Sequence, residues 1–252
     1  MDLIEAKQIA LSYGINITAK PYLISKPTAN KKVEKNMKLG VLTSPLHLAP
    51  ADMSGYNTCS SSTEGCREVC IHKQGNPAYM QQKEKSRIAK TKLYFEERDA
   101  FLTLLVDDMS WLKRKAERMA LKPAIRMNAT SDVPWERIKH NGTSITDIAH
   151  QQGITVYDYT KVLKRALSQP YHITFSRTED NDADCVKVLK AKRNVAVVFH
   201  VTKKVPLPTT WKGYRVVSGD DTDWRPSDEM GVVVGLMAKG TGRQDMSGFV
   251  IR

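Results

Sequence analysis

The sequence predicts an α/β protein with a mostly parallel sheet. A (β/α) barrel or partial barrel is the first expectation, and an open doubly wound sheet is the second. Seven short β-rich runs recur along the chain, and helical stretches lie between several of them. The runs are continuously apolar, which is typical of parallel strands that helices cover on both faces. A cysteine-rich loop follows the first of these strands.

The predicted elements follow one another in a regular order. The strands are expected at 39–44, 124–128, 154–158, 172–176, 195–201, 214–219 and 231–237. Single helices are expected at 1–14, 143–152, 160–168 and 182–193, and Gly14 is expected to end the first of them. Residues 78–121 predict two helices broken near residues 94–96, and the second carries an apolar stripe at helical spacing.

The domain organisation predicted is simple. Residues 1–38 are expected to form an N-terminal helix and a basic lead-in, and residues 39–252 a single barrel-like domain. No apolar run approaches the roughly 18 residues that cross a bilayer. The N-terminus also lacks the basic segment and apolar core of a signal peptide. We therefore expect a cytoplasmic protein that does not contact a membrane.

The net charge of the 252-residue chain is +12, from 39 basic and 27 acidic residues. The excess of Lys and Arg lies before Val216, whereas acids outnumber bases from Val216 to Arg252. A basic body suits a polyanionic partner such as a nucleic acid or a phosphorylated substrate. The alternative is a basic surface that serves solubility alone, and charge by itself does not choose between them.

Three of the four cysteines, Cys59, Cys66 and Cys70, lie within the stretch NTCSSSTEGCREVC. In a reducing cytosol such a group is more often a metal site than a disulfide. Zinc would need a fourth ligand, for which His72 is the candidate. A [4Fe–4S] cluster held by three thiolates would leave one iron open to a substrate or cofactor. The fourth cysteine, Cys185, lies in a predicted helix and is expected to be a buried core thiol.

Polar side chains follow the predicted strands, and in parallel α/β folds chemistry collects at the carboxyl ends of strands. The candidate catalytic residues are Asp132, Asp158, Asp220, Asp223 and Arg225. The candidate substrate-binding residues are Asn128, Ser131, Trp135, Arg177, His200 and Lys239, and Thr202 and Lys203 follow His200. If the fold is a barrel, these residues must converge on one face.

Two of these segments carry alternatives. GDDTDWRPSD holds four carboxylates in nine residues, which would raise one another's pKa values unless a cation offsets them. That segment is either an acid–base and ligand-binding loop or a solvated acidic loop. In TSDVPW, Trp135 suits stacking on a planar ring beside Asp132, and it suits the protein core equally well.

The place of the cysteine segment, after the first strand and before the first long helical region, resembles that of the cluster loop in radical S-adenosylmethionine enzymes. The spacing here is C-x₆-C-x₃-C rather than their usual C-x₃-C-x₂-C. The Gly-Gly-Glu element expected after the second strand is replaced by NATSD. The resemblance implies a [4Fe–4S] cluster on Cys59, Cys66 and Cys70, with S-adenosylmethionine as a candidate cofactor.

A second resemblance covers about residues 39–251. LAPADMSGYNTCSSSTEGCREVC, RMNATSDVPWE, GDDTDWRPSD and VVVGLMAKGTGRQDMSGFV together are similar to a family of phage-encoded proteins named after a mycobacteriophage gene product 88. This resemblance implies a viral origin, hence a location in the host cytoplasm, and a barrel with a cysteine cluster. Longer relatives carry further C-terminal cysteines, which this chain lacks.

Three functions follow from these observations. The leading one is an iron–sulfur enzyme of radical-S-adenosylmethionine-like architecture that modifies a nucleic acid or a nucleotide. The runner-up is a zinc-stabilised, transglycosylase-like barrel in which Asp132 or Asp220 attacks or stabilises an anomeric carbon of a nucleobase glycoside. The third is a zinc-containing protein without enzymatic activity that binds nucleic acid or inhibits the host.

Overall fold

Helices and strands alternate through the part of the chain that the computed structural model describes, which is residues 1–73, 77–168, 171–201 and 205–252. The α-helices are α1 (Leu3–Ser12), α2 (Lys31–Glu34), α3 (Glu64–Glu68), α4 (Pro77–Glu96), α5 (Arg98–Arg118), α6 (Ile145–Gln151), α7 (Leu163–Ser168) and α8 (Asp182–Lys190). The strands are β1 (Val41–Pro45), β2 (Lys122–Arg126), β3 (Lys139–His140), β4 (Thr143–Ser144), β5 (Thr155–Thr160), β6 (His172–Ser176), β7 (Val195–Phe199), β8 (Thr210–Trp211), β9 (Tyr214–Ser218) and β10 (Val233–Met237). None of the helices in these ranges is long and apolar enough to cross a membrane.

The main sheet has eight strands in the order β1-β2-β5-β6-β7-β10-β9-β8. The pairs β1–β2, β2–β5, β6–β7, β7–β10 and β10–β9 are parallel, and β8–β9 is antiparallel. A separate two-stranded hairpin joins β3 and β4. The prediction of a mostly parallel α/β protein is therefore confirmed, and each of the seven predicted strands has a counterpart.

The barrel or partial barrel that was the first expectation is not closed, because β1 and β8 are the two ends of the strand order and do not pair within the described residues. The last strands explain the open edge. β10 takes the place next to β7, and β9 lies outside β10. A tight turn at Lys212 and Gly213, both at positive φ, then folds β8 back on β9 as an antiparallel edge.

Internal contacts divide the chain into two compact units. Unit 1 comprises Met1–Ser60 and Asn76–Tyr157, and unit 2 comprises Ser61–Gly75 and Asp158–Arg252. Strands β1 and β2 belong to unit 1, and β6 to β10 belong to unit 2. The cysteine-rich segment is split between the units, with Cys59 in unit 1 and its other two cysteines in unit 2.

The core of unit 1 is built on α5. Its apolar positions recur at helical spacing, and six members of the predicted stripe are fully buried, namely Phe101, Leu104, Leu105, Met109, Leu112 and Ala116. The seventh member, Met119, was wrongly predicted to be core, because it lies just after the end of α5 and is 43% exposed. Trp135 is also fully buried, with its ring 5.2 Å from that of Tyr94 and 6.1 Å from that of Phe101. The break between α4 and α5 falls at Glu97, close to the predicted position.

The core of unit 2 forms where α8 packs against the parallel strands. Val188 and Leu189 of α8 meet apolar side chains of β6, β7 and β10. Cys185 is fully buried in this cluster, so the prediction of a core thiol is confirmed. Burial raises the pKa of its thiol to about 12, which keeps Cys185 protonated and chemically inert at neutral pH.

A buried carboxylate anchors the N-terminal segment of unit 1. Asp108 of α5 is fully buried and accepts backbone hydrogen bonds from Tyr22, Leu23 and Ile24 at 2.9, 2.7 and 3.1 Å. Burial raises the pKa of Asp108 to about 6, and the three hydrogen bonds oppose that shift. The carboxylate thus fixes residues 22–24 against a helix more than 80 positions away in the sequence.

Replacing Asp108 by Asn should destabilise the protein by about 2–4 kcal/mol, because an amide cannot accept all three buried N–H groups. Urea unfolding measures the effect. The neighbouring substitution Asp107→Asn is the control, since Asp107 only pairs with the partly exposed Lys20 and should cost less than about 1 kcal/mol. Equal losses in the two variants would contradict the anchoring role of Asp108.

Candidate functional site

The loops that follow β1 and β2 are tied together at the carboxyl edge of unit 1. The Thr130 hydroxyl donates to the Leu48 carbonyl at 2.6 Å, and the Asp132 amide donates to the Thr58 carbonyl at 2.8 Å. The Thr58 hydroxyl in turn donates to the Ala49 carbonyl at 2.6 Å. The carboxyl edge is where open parallel α/β sheets bind their ligands. These bonds give it a defined shape.

Asn128 shapes the loop after β2. Its Oδ1 accepts hydrogen bonds from the Ser131 hydroxyl, the Val133 amide and Trp135 Nε1 at 2.8, 2.8 and 3.2 Å, and its Nδ2 donates to the Val133 carbonyl at 2.9 Å. Asn128 is 2% exposed. Its polar atoms therefore hold the loop, and Trp135 belongs to the core rather than to a surface on which a ring could stack.

Cys59 lies against the same loop. Its thiol is partly buried and donates weakly to the Thr130 carbonyl at 3.9 Å. Unit 1 therefore brings together four of the residues singled out in the sequence, namely Cys59, Asn128, Ser131 and Asp132. Ser131 and Asp132 are partly exposed, so their side chains can reach a ligand at this edge.

A group of basic side chains surrounds the end of β1. His47 follows that strand, and its Nδ1 lies 3.1 Å from the Ser25 hydroxyl. Lys90 of α4 is 7% exposed and donates to the Leu23 carbonyl at 3.1 Å. Arg126, the last residue of β2, pairs with Pro45 at the end of β1. We call His47, Lys83, Arg87, Lys90 and Arg126 the basic cluster.

Burial and positive charge act together on this basic cluster. Burial lowers the pKa of His47 well below its usual value, and the charges of Lys90, Arg87, Arg126 and Lys83 lower it further. Burial also lowers the pKa of Lys90 to about 8; Arg87 adds to that shift, and Asp108 opposes it. The cations near the end of β1 thus disfavour protonation of the His47 imidazole.

The basic cluster was not predicted from the sequence. Two signals for it exist there. Lys83, Arg87 and Lys90 recur at intervals of four and three residues, which predicts one helical face. His47 comes three residues after the predicted strand 39–44, in LTSPLHLAP. Neither signal shows that Arg126, 79 positions beyond His47, joins the group.

The remaining cysteines of the segment are positioned within unit 2 by α3. Glu179 accepts hydrogen bonds from the Thr63 hydroxyl at 2.7 Å and the Gly65 amide at 2.9 Å. A Cβ atom on Gly65 would lie 2.2 Å from the Ser247 hydroxyl oxygen, so the close approach requires glycine here. Cys66 lies within α3 and Cys70 just after it, and both thiols are partly buried.

The clustered cysteines and His72 are the side chains that the sequence predicts to hold a metal. The cysteines form no disulfide among the described residues, and His72 lies partly buried in the short 3₁₀ turn Ile71–Lys73. Among the described residues, no group of three or more His, Cys, Asp or Glu side chains is arranged to hold a metal ion. The side chains as placed do not form a ready metal centre, and cluster or zinc binding stays a prediction of the sequence.

Unit 2 also contains a cavity of about 600 Å³ beside α3. Four acidic residues are part of its lining, namely Glu64, Glu68, Glu179 and Asp245. Two of these carboxylates stabilise neighbouring segments through hydrogen bonds. Glu179 holds α3, and Asp245 accepts hydrogen bonds from the Ser247 hydroxyl and the Val250 amide at 2.7 and 2.9 Å. The cavity therefore lies between α3 and the C-terminal segment, and two of its carboxylates hold these two segments in place.

Arg177 and His200, both predicted to bind substrate, fasten the C-terminal segment of unit 2. Arg177 pairs with Asp182 at 2.7 Å and donates to the Gly248 and Phe249 carbonyls at 2.7 and 2.9 Å. His200 Nε2 lies 3.1 Å from the Arg243 carbonyl. Thr202 and Lys203, named with His200 in the sequence, lie outside the described residues.

The acidic segment of unit 2 divides between two places. At the carboxyl end of β10, Asp220 pairs with Lys239 at 2.6 Å and accepts a hydrogen bond from the Met237 amide at 2.6 Å. Arg225 is 1% exposed and pairs with Asp228 at 2.9 Å.

The charge of Arg225 instead affects His172, at the amino end of β6. Burial, followed by the charges of Arg225 and Arg193, lowers the pKa of His172 to about 4. His172 is the first residue of β6, so the Arg225 charge lies toward that end. Two other predicted catalytic residues, Asp158 in β5 and Asp223, are buried at 0% and 3% exposure. Within unit 2, Asp220 lies at the carboxyl end of β10 and Arg225 influences the amino end of β6, and the roles predicted for these residues stay predictions.

The fold and this edge define a mixed α/β protein with a basic carboxyl edge in unit 1. The chain belongs to the Gene product 88 family, whose family model matches residues 22–252. This confirms the resemblance to a phage gene-product family drawn from the motifs. Neither the curated proteins nor the solved structures give a match. The resemblance to radical S-adenosylmethionine enzymes stays a prediction.

The pKa of Lys90 predicts a specific dependence of stability on pH. Its folded value, about 8, lies below the ordinary 10.5, so between these values the unfolded chain binds one more proton. The free energy of unfolding should therefore rise by up to about 3 kcal/mol as the pH increases from 8 to 10.5. Urea unfolding under reducing conditions measures it.

Lys90→Met should lack this rise, whereas Lys92→Met, at an exposed position of the same helix, should follow the native curve. Parallel curves for the native protein and Lys90→Met would show that Lys90 does not titrate as its burial requires.

Proposed function

We propose that the protein binds a nucleic acid or a nucleotide at the carboxyl edge of β1 and β2 in unit 1, and modifies it there. The observation that carries this proposal is the basic cluster, in which Lys83, Arg87 and Lys90 share one face of α4 and Arg126 ends the strand next to β1. A phosphate group is the ligand that such a place attracts. The overall charge of +12 favours the same class of ligand.

The neighbouring loops supply groups that could act on a bound base or sugar. Asp132 and Ser131 are partly exposed beside the Cys59 thiol. A carboxylate can accept a proton or stabilise a developing positive charge, and a thiol can bind a metal or act as a nucleophile. This combination supports a modifying enzyme over a protein that only binds.

Binding should be strongest at low ionic strength. We expect labelled single-stranded and duplex oligonucleotides of DNA and RNA to raise their fluorescence anisotropy on mixing with the protein, with log K falling linearly as log salt rises. Comparison of the four oligonucleotides identifies the preferred class. Mass spectrometry of the recovered oligonucleotide then detects a modification. Absence of binding at low salt to every oligonucleotide and to free nucleotides would refute the proposed function.

The iron–sulfur centre proposed for Cys59, Cys66 and Cys70 rests on their spacing in the sequence, since thiolates are the usual cluster ligands. Its chemistry would supply an open iron for a cofactor or a substrate. No step at the unit 1 edge depends on it.

Anaerobic reconstitution with iron and sulfide should give a brown protein whose visible absorbance dithionite bleaches. The variants Cys59→Ser, Cys66→Ser and Cys70→Ser should each lose the colour, and Cys185→Ala should keep it, because Cys185 is buried in the core of unit 2. A colourless protein that holds stoichiometric zinc would instead support the zinc alternatives.

A further inference from the structure

Three cations of the basic cluster lie on one face of α4. Lys83, Arg87 and Lys90 are spaced four and three residues apart, which stacks their side chains along the helix. Their exposure falls along this face, because Lys83 is exposed, Arg87 is partly exposed and Lys90 is buried. The face therefore runs from solvent into the protein as a line of positive charge.

A hydrogen bond fixes this face against the carboxyl edge of β1. The Ala49 amide donates to the Thr91 hydroxyl at 2.8 Å, and that hydroxyl donates to the Arg87 carbonyl at 2.8 Å. The loop containing His47 is thus held beside the last turns of α4. Arg126, at the end of the neighbouring strand β2, adds a fourth cation from the sheet.

The like charges on this face of α4 repel one another. Like charges three and four residues apart on a helix destabilise it, and burying Lys90 adds a desolvation cost. The nearby carboxylate of Asp108 is already held by three backbone amides. A bound anion would relieve the repulsion and the desolvation together.

We propose that Lys83, Arg87, Lys90 and Arg126 form a phosphate-binding subsite, with the α4 face guiding the phosphate inward to the end of β1. Arginine offers paired donors to phosphate oxygens, and lysine offers a compact charge. Contacts of this kind fix the position of a nucleic acid without reading its sequence. This inference rests on the proposed function, and it names the part of the ligand that unit 1 recognises.

Two matched double variants of α4 test the subsite. Lys83→Gln with Arg87→Gln removes two charges from the proposed face. Lys85→Gln with Lys92→Gln removes two exposed charges from other faces of the same helix. Each variant is titrated with a fluorescein-labelled oligonucleotide across a range of salt, with a nucleoside triphosphate, and with pyrophosphate in a thermal shift assay. Circular dichroism confirms that both remain folded.

The first double variant should bind the oligonucleotide about tenfold more weakly or worse, with the salt slope reduced by about 2, and should lose the thermal shift with pyrophosphate. The second should stay within about twofold of the native protein. Equal weakening in both would overturn the subsite and leave general electrostatic binding, so the proposed function would stand.

The titrations with the nucleoside triphosphate and with pyrophosphate distinguish the two sources of phosphate. Binding of the triphosphate with the same selective loss, but none of the oligonucleotide, would support the subsite with a free nucleotide as ligand. A selective loss with pyrophosphate alone would support the subsite and refute the proposed function. Absence of binding by all three probes would refute both.

Discussion

The carboxylate of Asp108 is the constraint on which the architecture of unit 1 depends. By accepting hydrogen bonds from three backbone amides it fixes residues 22–24. This segment and the residue after it then make three contacts near the basic cluster. The Leu23 carbonyl holds Lys90, Ile24 bridges Leu46, and the following Ser25 contacts His47. One buried acid thus positions the segment that contacts Lys90 and His47 of the basic cluster.

The basic cluster carries a cost that a bound anion would reduce. A lysine with its pKa lowered to about 8 is a buried charge at neutral pH, and its neighbours Arg87 and Arg126 share its sign. Stability is the small difference of large terms, and groups with strongly shifted pKa values are concentrated at functional sites. The same reasoning makes the edge of β1 and β2, rather than the acidic segment of unit 2, the place to look for phosphate recognition.

Unit 2 uses its polar strand-end residues in a different manner. Arg177 and His200 hold the C-terminal segment, and Glu179 holds α3 with Cys66. Arg177 and His200 were selected in the sequence for their chemistry, and in the structure they hold neighbouring segments in place; Glu179 was not predicted. Strand-end position indicates a polar residue's location in the fold, but the partners it meets decide whether it remains available to a ligand.

The sequence by itself determined α1, α4 to α8, the seven main strands and most of the core stripe of α5, because apolar periodicity and continuous apolar runs are local properties of the chain. It also identified Cys59, Asn128, Ser131 and Asp132, which unit 1 brings to one edge. It did not predict the short helices α2 and α3. Only the tertiary structure decided that the sheet stays open, that Trp135 is core, and that His47, α4 and Arg126 converge. The physical reason is that these outcomes depend on hydrogen bonds and charges between residues tens of positions apart, which no local pattern encodes.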